Sequence, residues 1–359
     1  MMRAASASRW GRYHCRLCLY LAVVAMPAAA RADDWPQWLG PKRDGVWRET
    51  GLLNKFPKGG PKVRWRAKIG GGYSGPAVAD GRVYVTDWVL SEGNKTPESG
   101  FNKRRPLTGK ERVLCLDDAD GHVLWKHEYD SEYKVDYPAG PRAAPLVHGG
   151  KVYTLGAMGD LFCLDAKTGK VIWSKNFVKD YNAPVPVWGF SAHPLIEGDK
   201  LICVAGGEGS TAVAFHKDTG KELWRALSAR EPGYCGPEVF EAGGKRQLII
   251  WHPEAINSLD PDTGKVYWSE KFEIGAGMTI PTPRKEGDLL YFTCFYSGSM
   301  MLKLAKDKPA ASILWKGKRS SVPKSTDELH STMSTPVLKD GHIYGVSSYG
   351  EFRCLKAAT

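Results

Sequence analysis

The feature that most constrains the fold of this chain is a tryptophan that returns at a nearly constant interval. Intervals of 48, 51, 44 and 47 residues separate Trp125, Trp173, Trp224, Trp268 and Trp315. A period of about 20 to 50 residues is typical of repeat architectures, in which each unit buries its apolar face only against its neighbours. We therefore expect this 359-residue chain to be an array of similar units rather than one layered core.

Each tryptophan ends a motif whose turn residues also recur. The clearest copy runs from Cys163 to Trp173 and reads C-L-D-A-K-T-G-K-V-I-W. Its aspartate can accept hydrogen bonds from backbone N–H groups two or three residues ahead, and its glycine supplies the positive φ that a tight turn needs. The repeat residues predicted to be structural are Trp65, Trp125, Trp173, Trp224, Trp268, Trp315, Asp117, Asp165, Asp260, Gly121, Gly169, Gly220 and Gly264.

The segments between the motifs read as short strands. A proline opens each unit, as Pro76 does, and an apolar run and an alternating strand such as Val83-Tyr84-Val85 follow it. The alternation has period two, and no stretch keeps a helical period. Four short strands and one large ring in each unit of about 45 residues predict an all-β propeller of four-stranded blades, with about six blades present.

The A/C-L-D-x-x-T-G-K-x-x-W element resembles the pyrrolo-quinoline quinone (PQQ) repeat. That repeat is the tryptophan-docked blade of quinoprotein alcohol dehydrogenases and of the outer-membrane assembly factor BamB, and the resemblance covers residues 62–359. The opening Trp35–Pro41, followed by Arg43-Asp44-Gly45, looks like the start of exported PQQ-like repeat proteins common in Planctomycetes and related bacteria. The resemblance implies a propeller, and the repeat alone is poor support for quinone binding.

The last copy of the repeat is incomplete, because the tryptophan that should follow Cys354 would fall beyond Thr359. Fuller members of the family look eight-bladed, with an N-terminal tryptophan strand closing the last blade. The resemblance therefore favours an open arc, an incomplete eight-bladed ring. In the alternative, residues 62–69 pair with residues 350–356 and close six blades.

The first 32 residues read as a signal peptide. A basic start precedes an apolar run, Leu17–Met26, that is too short to span a bilayer, and Ala30-Arg31-Ala32 is an A-x-A cleavage site. Cleavage between Ala32 and Asp33 would place the protein in the periplasm or outside the cell, with no transmembrane segment. We divide the chain into this signal peptide (1–32), an extended N-terminal segment (33–61) and the propeller (62–359).

The charge of the mature chain argues against a nucleic-acid partner. The whole sequence has a net charge of +11, and five arginines of the signal peptide account for part of it, which leaves +6. A mild excess of that size, spread over more than 300 residues, is not the basic footprint of a nucleic-acid-binding protein.

Loops that enter the innermost strands of a propeller gather around its axis. In this sequence they combine small residues with aromatic and basic ones. The residues predicted to form a ligand-binding funnel there are Tyr73, Arg142, Trp188, Phe190, His193, Tyr234 and His330. Axial packing with solvated loop tips explains the same residues, and we favour that interpretation.

Quinoprotein catalysis would need a quinone on a tryptophan floor, oxygen ligands for Ca²⁺ and a carboxylate base. Trp188 or Trp251 could be the floor and Glu208 or Glu254 a ligand, but no pattern singles them out. The family's enzymes also carry a disulfide between adjacent cysteines, and this sequence has no adjacent cysteines. We therefore expect no catalytic residue, no metal site and no cofactor.

The sequence thus predicts a monomeric, non-catalytic scaffold of the cell envelope. By analogy with BamB, its partner would be another envelope protein that contacts residues 138–144, 186–193 and 231–236. Two alternatives stay open at this point. One is a PQQ- and Ca²⁺-dependent alcohol dehydrogenase, and the other is a carbohydrate-binding propeller, which the aromatic loops would suit.

Overall fold

The computed structural model describes residues 33–95, 104–320, 322 and 326–359, and the proposed signal peptide lies outside them. Residues 34–359 form one unit. Its described part contains 23 strands in six antiparallel sheets, five of four strands and one of three, together with one short α-helix, α1 (Phe177–Tyr181), and one turn of 3-10 helix (Gly275–Gly277). The prediction of an all-β propeller built from four-stranded blades, with about six present, is confirmed.

Within each sheet, consecutive strands are hydrogen-bonded neighbours. The first three sheets consist of β1 (Ala77–Ala79), β2 (Arg82–Leu90), β3 (Leu107–Asp117) and β4 (Val123–Tyr133); β5 (Leu146–His148), β6 (Lys151–Leu155), β7 (Asp160–Asp165) and β8 (Val171–Asn176); and β9 (Leu195–Glu197), β10 (Lys200–Val204), β11 (Ala212–His216) and β12 (Glu222–Ala226).

The last three sheets repeat this meander. They consist of β13 (Glu238–Ala242), β14 (Lys245–His252), β15 (Ala255–Leu259) and β16 (Val266–Lys271); β17 (Arg284–Glu286), β18 (Leu289–Cys294), β19 (Gly298–Leu304) and β20 (Ala311–Lys316); and β21 (Val337–Lys339), β22 (His342–Val346) and β23 (Phe352–Lys356). The two middle strands of the first five sheets are almost wholly buried, and the outermost strand alternates between exposed and partly buried residues. The core is therefore a series of layers between facing sheets.

The repeat motif forms the turn between the third and fourth strands. At the β7–β8 turn, one carboxylate oxygen of Asp165 accepts hydrogen bonds from the backbone N–H of Lys167 and from both the N–H and the hydroxyl of Thr168. Gly169 then adopts φ +72°, which an L-residue adopts only with strain. The carboxylate and the glycine together fix a turn that local sequence alone determines.

That turn receives the tryptophan of the preceding sheet. The indole N–H of Trp125 donates to the carbonyl of Ala166 at 3.0 Å, and its ring lies over Gly169, where a Cβ would come within 2.5 Å of the ring. The same contact recurs at the turn carbonyls of four other sheets, as Trp65 to Asp118, Trp173 to Lys217, Trp224 to Pro261 and Trp315 to Ala357. One ring and one hydrogen bond thus join successive sheets.

A β-bulge lies beside the tryptophan of each fourth strand. In the first five sheets the register of the last strand pair shifts by one residue directly beside the residue opposite the tryptophan, as between Cys163 and Leu164. A bulge bends and twists the strand locally, so the ring turns towards the neighbouring sheet.

Trp268 departs from this pattern. Its indole N–H donates to Gln247 of its own sheet at 2.8 Å. The next sheet has no turn glycine, and its β19–β20 hairpin is longer, with Leu304 paired to Ala311. Trp268 packs against the apolar cluster that contains Leu304, so side-chain packing replaces the turn contact.

Residues 62–69 hold Trp65 on the first sheet and belong to no sheet of the described structure. No described residue of 62–69 pairs with β23. The six-bladed closure is therefore not the arrangement in this structure, and completion to eight blades stays a prediction.

We predict that Gly169→Ala lowers the free energy of unfolding by about 3 kcal/mol, because the new Cβ meets the Trp125 ring in addition to the strain of positive φ. Gly150→Ala is the matched control: its φ is +73° and it has open space around it, so only about 1 kcal/mol is expected. Urea denaturation measures both. If both variants lose the same free energy of unfolding, the contact with the Trp125 ring adds nothing at Gly169 and the prediction is wrong.

Candidate functional site at the propeller axis

The innermost strands border an axis that the chain itself occupies. Residues 34–45, here called the axial segment, run along these strands. Trp35 forms an antiparallel bridge with Val78 of β1, and the N–H of Val147 in β5 donates to the carbonyl of Pro36 at 2.8 Å. The segment thus adds to the free inner edges of the first two sheets.

Further along, the axial segment places an aromatic ring beside a buried histidine. The rings of Trp38 and His193 stack with centroids 4.4 Å apart, and the Trp38 indole donates to Thr282 at 3.2 Å. The Nδ1 atom of His193 accepts a hydrogen bond from the N–H of Ala144, so it carries no proton. Burial, with a smaller effect from Arg43, lowers the pKa of His193 to about 3.

Arg43 ends this path in a buried ion pair. Its guanidinium donates to Glu238 at 2.9 Å and to the carbonyls of Pro194 and Pro237, and both charged side chains are less than one-tenth exposed. Burial raises the pKa of Glu238, and the charge and hydrogen bonds of Arg43 oppose that shift. Arg284 then donates to the carbonyl of Asp44. The axial segment therefore contacts the innermost strands, or the residues just before them, in five sheets.

Beside the axial segment, two loops meet at Arg142. Its guanidinium lies 5.0 Å from the centre of the half-exposed Tyr73 ring and donates to the carbonyls of Gly140, Asp136 and Tyr137. Gly140 approaches the backbone of the opposite loop so closely that a Cβ would come within 2.3 Å of a carbonyl oxygen. Arg142 therefore holds the loop in shape from inside.

The next two loops contribute an aromatic pair. The rings of Trp188 and Tyr234 lie 5.4 Å apart, and the Trp188 backbone N–H donates to the Tyr234 hydroxyl at 3.4 Å. Tyr234 is buried, which raises the pKa of its hydroxyl, and Arg142 is among the charges that act on it. The structure therefore brings four of the predicted funnel residues together.

The other three residues of the predicted funnel lie in the interior. Phe190 is 2% exposed and packs edge-on against Phe177. His330 is fully buried, and its Nδ1 donates to the carbonyl of Phe295. His193 lies between Ala144 and the axial segment. For these three residues the packing interpretation describes the structure. The name funnel is kept below for Tyr73, Arg142 and Trp188 together with the buried Tyr234, which packs against Trp188.

An insertion in the first unit borders the funnel. It lengthens β2, β3 and β4, and the buried Glu111 accepts hydrogen bonds from the hydroxyls of Tyr129 and Tyr133 and from the N–H of Ala157 in the second sheet. Burial raises the pKa of Glu111 despite these bonds. Trp88 stacks on Tyr133 with centroids 4.2 Å apart. The lengthened hairpin is thereby fixed against the second sheet.

Trp251, one of the two tryptophans considered for a quinone floor, is covered by other rings. Trp251 is 1% exposed, with Phe272 parallel to its ring and Phe292 edge-on, so neither face is open to a cofactor. Glu208 lies on an exposed turn, and Glu254 pairs with Arg230 at 2.8 Å. The other tryptophan considered, Trp188, lies in the funnel against Tyr234 and packs on the apolar cluster that contains Trp251.

A group of potential metal ligands elsewhere consists of Asp117, Asp120 and His122. It belongs to the exposed β3–β4 turn, at the opposite end of β4 from the funnel loop. In the part of the chain that the structure describes, no helix is long and apolar enough to cross a membrane.

Sequence reasoning missed the axial segment and described it only as extended. A signal existed in Arg43, because an arginine among tryptophans, prolines and glycines in an N-terminal segment calls for a carboxylate partner if it is buried. Its partner Glu238 lies 195 residues away, so no local pattern could identify the pair.

We predict that Arg43→Met destabilises the protein by about 3 kcal/mol, because it leaves Glu238 buried without a partner. The double variant Arg43→Met/Glu238→Leu should recover most of that loss. Arg48→Met, which removes an exposed arginine paired with Asp44, is the control and should change little. Urea denaturation is the measurement, and an Arg43→Met variant as stable as wild type would refute the buried-pair argument.

The low pKa of His193 predicts a dependence of stability on pH. The unfolded chain binds the imidazole proton near pH 6.5 and the folded chain only near pH 3, so stability falls as the pH drops between these values. Wild type should lose about 1.4 kcal/mol per pH unit more than His193→Gln over that range. Denaturation at pH 6.5, 5.5 and 4.5 tests this, and parallel losses in both proteins would contradict it.

Comparison with known proteins places these observations in a family. A family described as outer membrane protein assembly factor BamB matches residues 109–359. No curated protein sequence matches the chain.

Two solved structures share the fold. BamB from Moraxella catarrhalis matches with a TM-score of 0.50 and 14% identity, covering 82% of this chain and 75% of that one. The quinohemoprotein alcohol dehydrogenase from Comamonas testosteroni matches with a TM-score of 0.55 and 15% identity, covering 87% of this chain but only 57% of the enzyme. The match over more than half of the sequence, together with the repeated tryptophan docking, shows that the chain belongs to the PQQ-repeat β-propeller family of BamB.

Proposed function

We propose that this protein is a non-catalytic binding or assembly scaffold of the cell envelope, which holds a protein partner on the face that carries the funnel. The face consists of the loops that enter the innermost strands, above all residues 138–144, 186–193 and 231–236. Export by the signal peptide at residues 1–32 is part of this proposal, as is the periplasmic or extracellular location.

The observation that carries the proposal is the occupied axis. The axial segment fills the region between the innermost strands with Trp38, which stacks on His193, and with Arg43, which is buried on Glu238. A cofactor held at the axis would have to displace these contacts. Of the side chains considered for a quinone site, Trp251 is covered on both faces and Glu254 is paired with Arg230, which also argues against a cofactor.

The composition of the face supports a protein partner. Aromatic and arginine side chains dominate the energetics of protein interfaces, and the loops present Tyr73, Tyr137 and Trp188 beside Arg142. Tyr73 and Tyr137 are each about half exposed. Rigid sheets hold these loops, so a partner would meet a preformed surface.

The dehydrogenase alternative is tested with purified protein, PQQ and Ca²⁺. We expect no quinone absorbance to remain with the protein after desalting and no dye-linked oxidation of alcohols, because the axial segment lies between the innermost strands and the Trp251 ring is covered on both faces. Retained quinone with turnover would overturn the scaffold proposal.

The binding face is tested with a photo-crosslinking amino acid in living cells. At Tyr137 it should give a discrete crosslinked envelope protein. At Lys167, an exposed residue of the β7–β8 turn at the other end of the sheets, it should not. Equal crosslinking at both positions, or none at Tyr137, would contradict docking on this face.

A further inference from the structure

Arg142 carries a positive charge that no carboxylate neutralises. Its guanidinium has five N–H donors, and three hydrogen bonds go to the carbonyls of Gly140, Asp136 and Tyr137. Among the residues that the structure describes, no aspartate or glutamate forms an ion pair with it. Burial lowers the pKa of Arg142, which reflects the cost of holding this charge away from water.

Neighbouring charged groups are already paired or held in hydrogen bonds. Arg104 lies 3.4 Å from Asp136, and Arg112 is paired with Asp87. Glu111, whose charge also acts on Arg142, is held by two tyrosine hydroxyls and a backbone N–H. In the described structure these acidic groups face other partners than Arg142, and Asp136 does so only through Arg104, since neither of its carboxylate oxygens has a hydrogen-bond partner.

The surroundings of Arg142 suit the end of a peptide. Tyr73 covers one side of the guanidinium, and the Trp188–Tyr234 pair stands on the neighbouring loops. A carboxylate placed against the guanidinium would replace water at a half-buried charge, where an ion pair is stronger than at an open surface. The partly exposed Trp188 ring, supported by the buried Tyr234, offers apolar area for the residue that carries the carboxylate.

We propose that Arg142 binds the C-terminal carboxylate of the protein partner within the funnel. This inference rests on the proposed scaffold function and names the chemistry of its partner. A carboxylate carries one negative charge and matches the one positive charge of the Arg142 guanidinium. A phosphate group usually carries more charge and is bound by several donors or cations together.

The test uses N-acetylphenylalanine as the probe and N-acetylphenylalaninamide as its uncharged match. Isothermal titration calorimetry of the mature protein should show that the acid binds at least 10-fold more tightly than the amide. Added NaCl should weaken the binding of the acid and leave the binding of the amide unchanged. Arg142→Gln should lower the affinity for the acid at least 10-fold, and Arg142→Lys should lower it less. Arg246→Gln makes the same change in net charge at an exposed arginine paired with Glu197 and should leave binding unchanged.

Equal binding of acid and amide would overturn the proposal, and so would undiminished binding to a folded Arg142→Gln variant. If Arg142→Gln does not fold, the acid–amide difference and its salt dependence in wild type decide the question. Inorganic phosphate that competes better than acetate, or Arg142-dependent binding to phosphatidylglycerol vesicles, would also overturn the carboxylate assignment.

Crosslinking separates this inference from the proposed function. A partner that still crosslinks at Tyr137 in Arg142→Gln would refute the carboxylate contact and leave the scaffold standing. Acid binding that depends on Arg142, without a crosslink confined to this face, would refute the scaffold and leave the carboxylate site.

Discussion

The contact of one indole with the turn of the next sheet is the interaction on which the structure depends. Each sheet has too little apolar area to be stable alone, and the four-stranded meander gains its stability by facing a neighbour. The Trp125 ring over Gly169 shows how closely the two surfaces fit, since the glycine leaves no room for a methyl group. Five such contacts set the spacing and orientation of the sheets. The positions of the funnel loops follow from the positions of the sheets that they connect.

The axial segment supplies hydrogen-bond partners for the inner strands of the sheets. Inner strands of a propeller leave backbone groups unpaired at the axis, and Trp35 and Pro36 pair with some of them. The buried Arg43–Glu238 pair adds specificity more than stability, because desolvation offsets much of its attraction. A candidate site built above a filled axis can only be shallow, which suits a surface for macromolecules better than a pocket for a cofactor.

Most of the fold could be predicted from the sequence because its determinants are local. The Asp165 turn, the positive φ of Gly169 and the period-two strands each depend on residues within one repeat. Trp268 could not be predicted, since its hydrogen bond to Gln247 follows from a missing glycine and a longer hairpin in the next sheet. In the candidate site, residue type alone could not tell the half-exposed Tyr73 from the buried Phe190, because burial there depends on which loop lies above.

The path of the axial segment also governs the order in which the chain can fold. Trp38 leaves the ribosome early, yet its partner Thr282 follows 244 residues later. Long-range contacts of this kind close only after the loop between them is ordered, at a cost in chain entropy. The axial segment should therefore settle last, and until then the Trp35 and Trp38 rings remain available to chaperones.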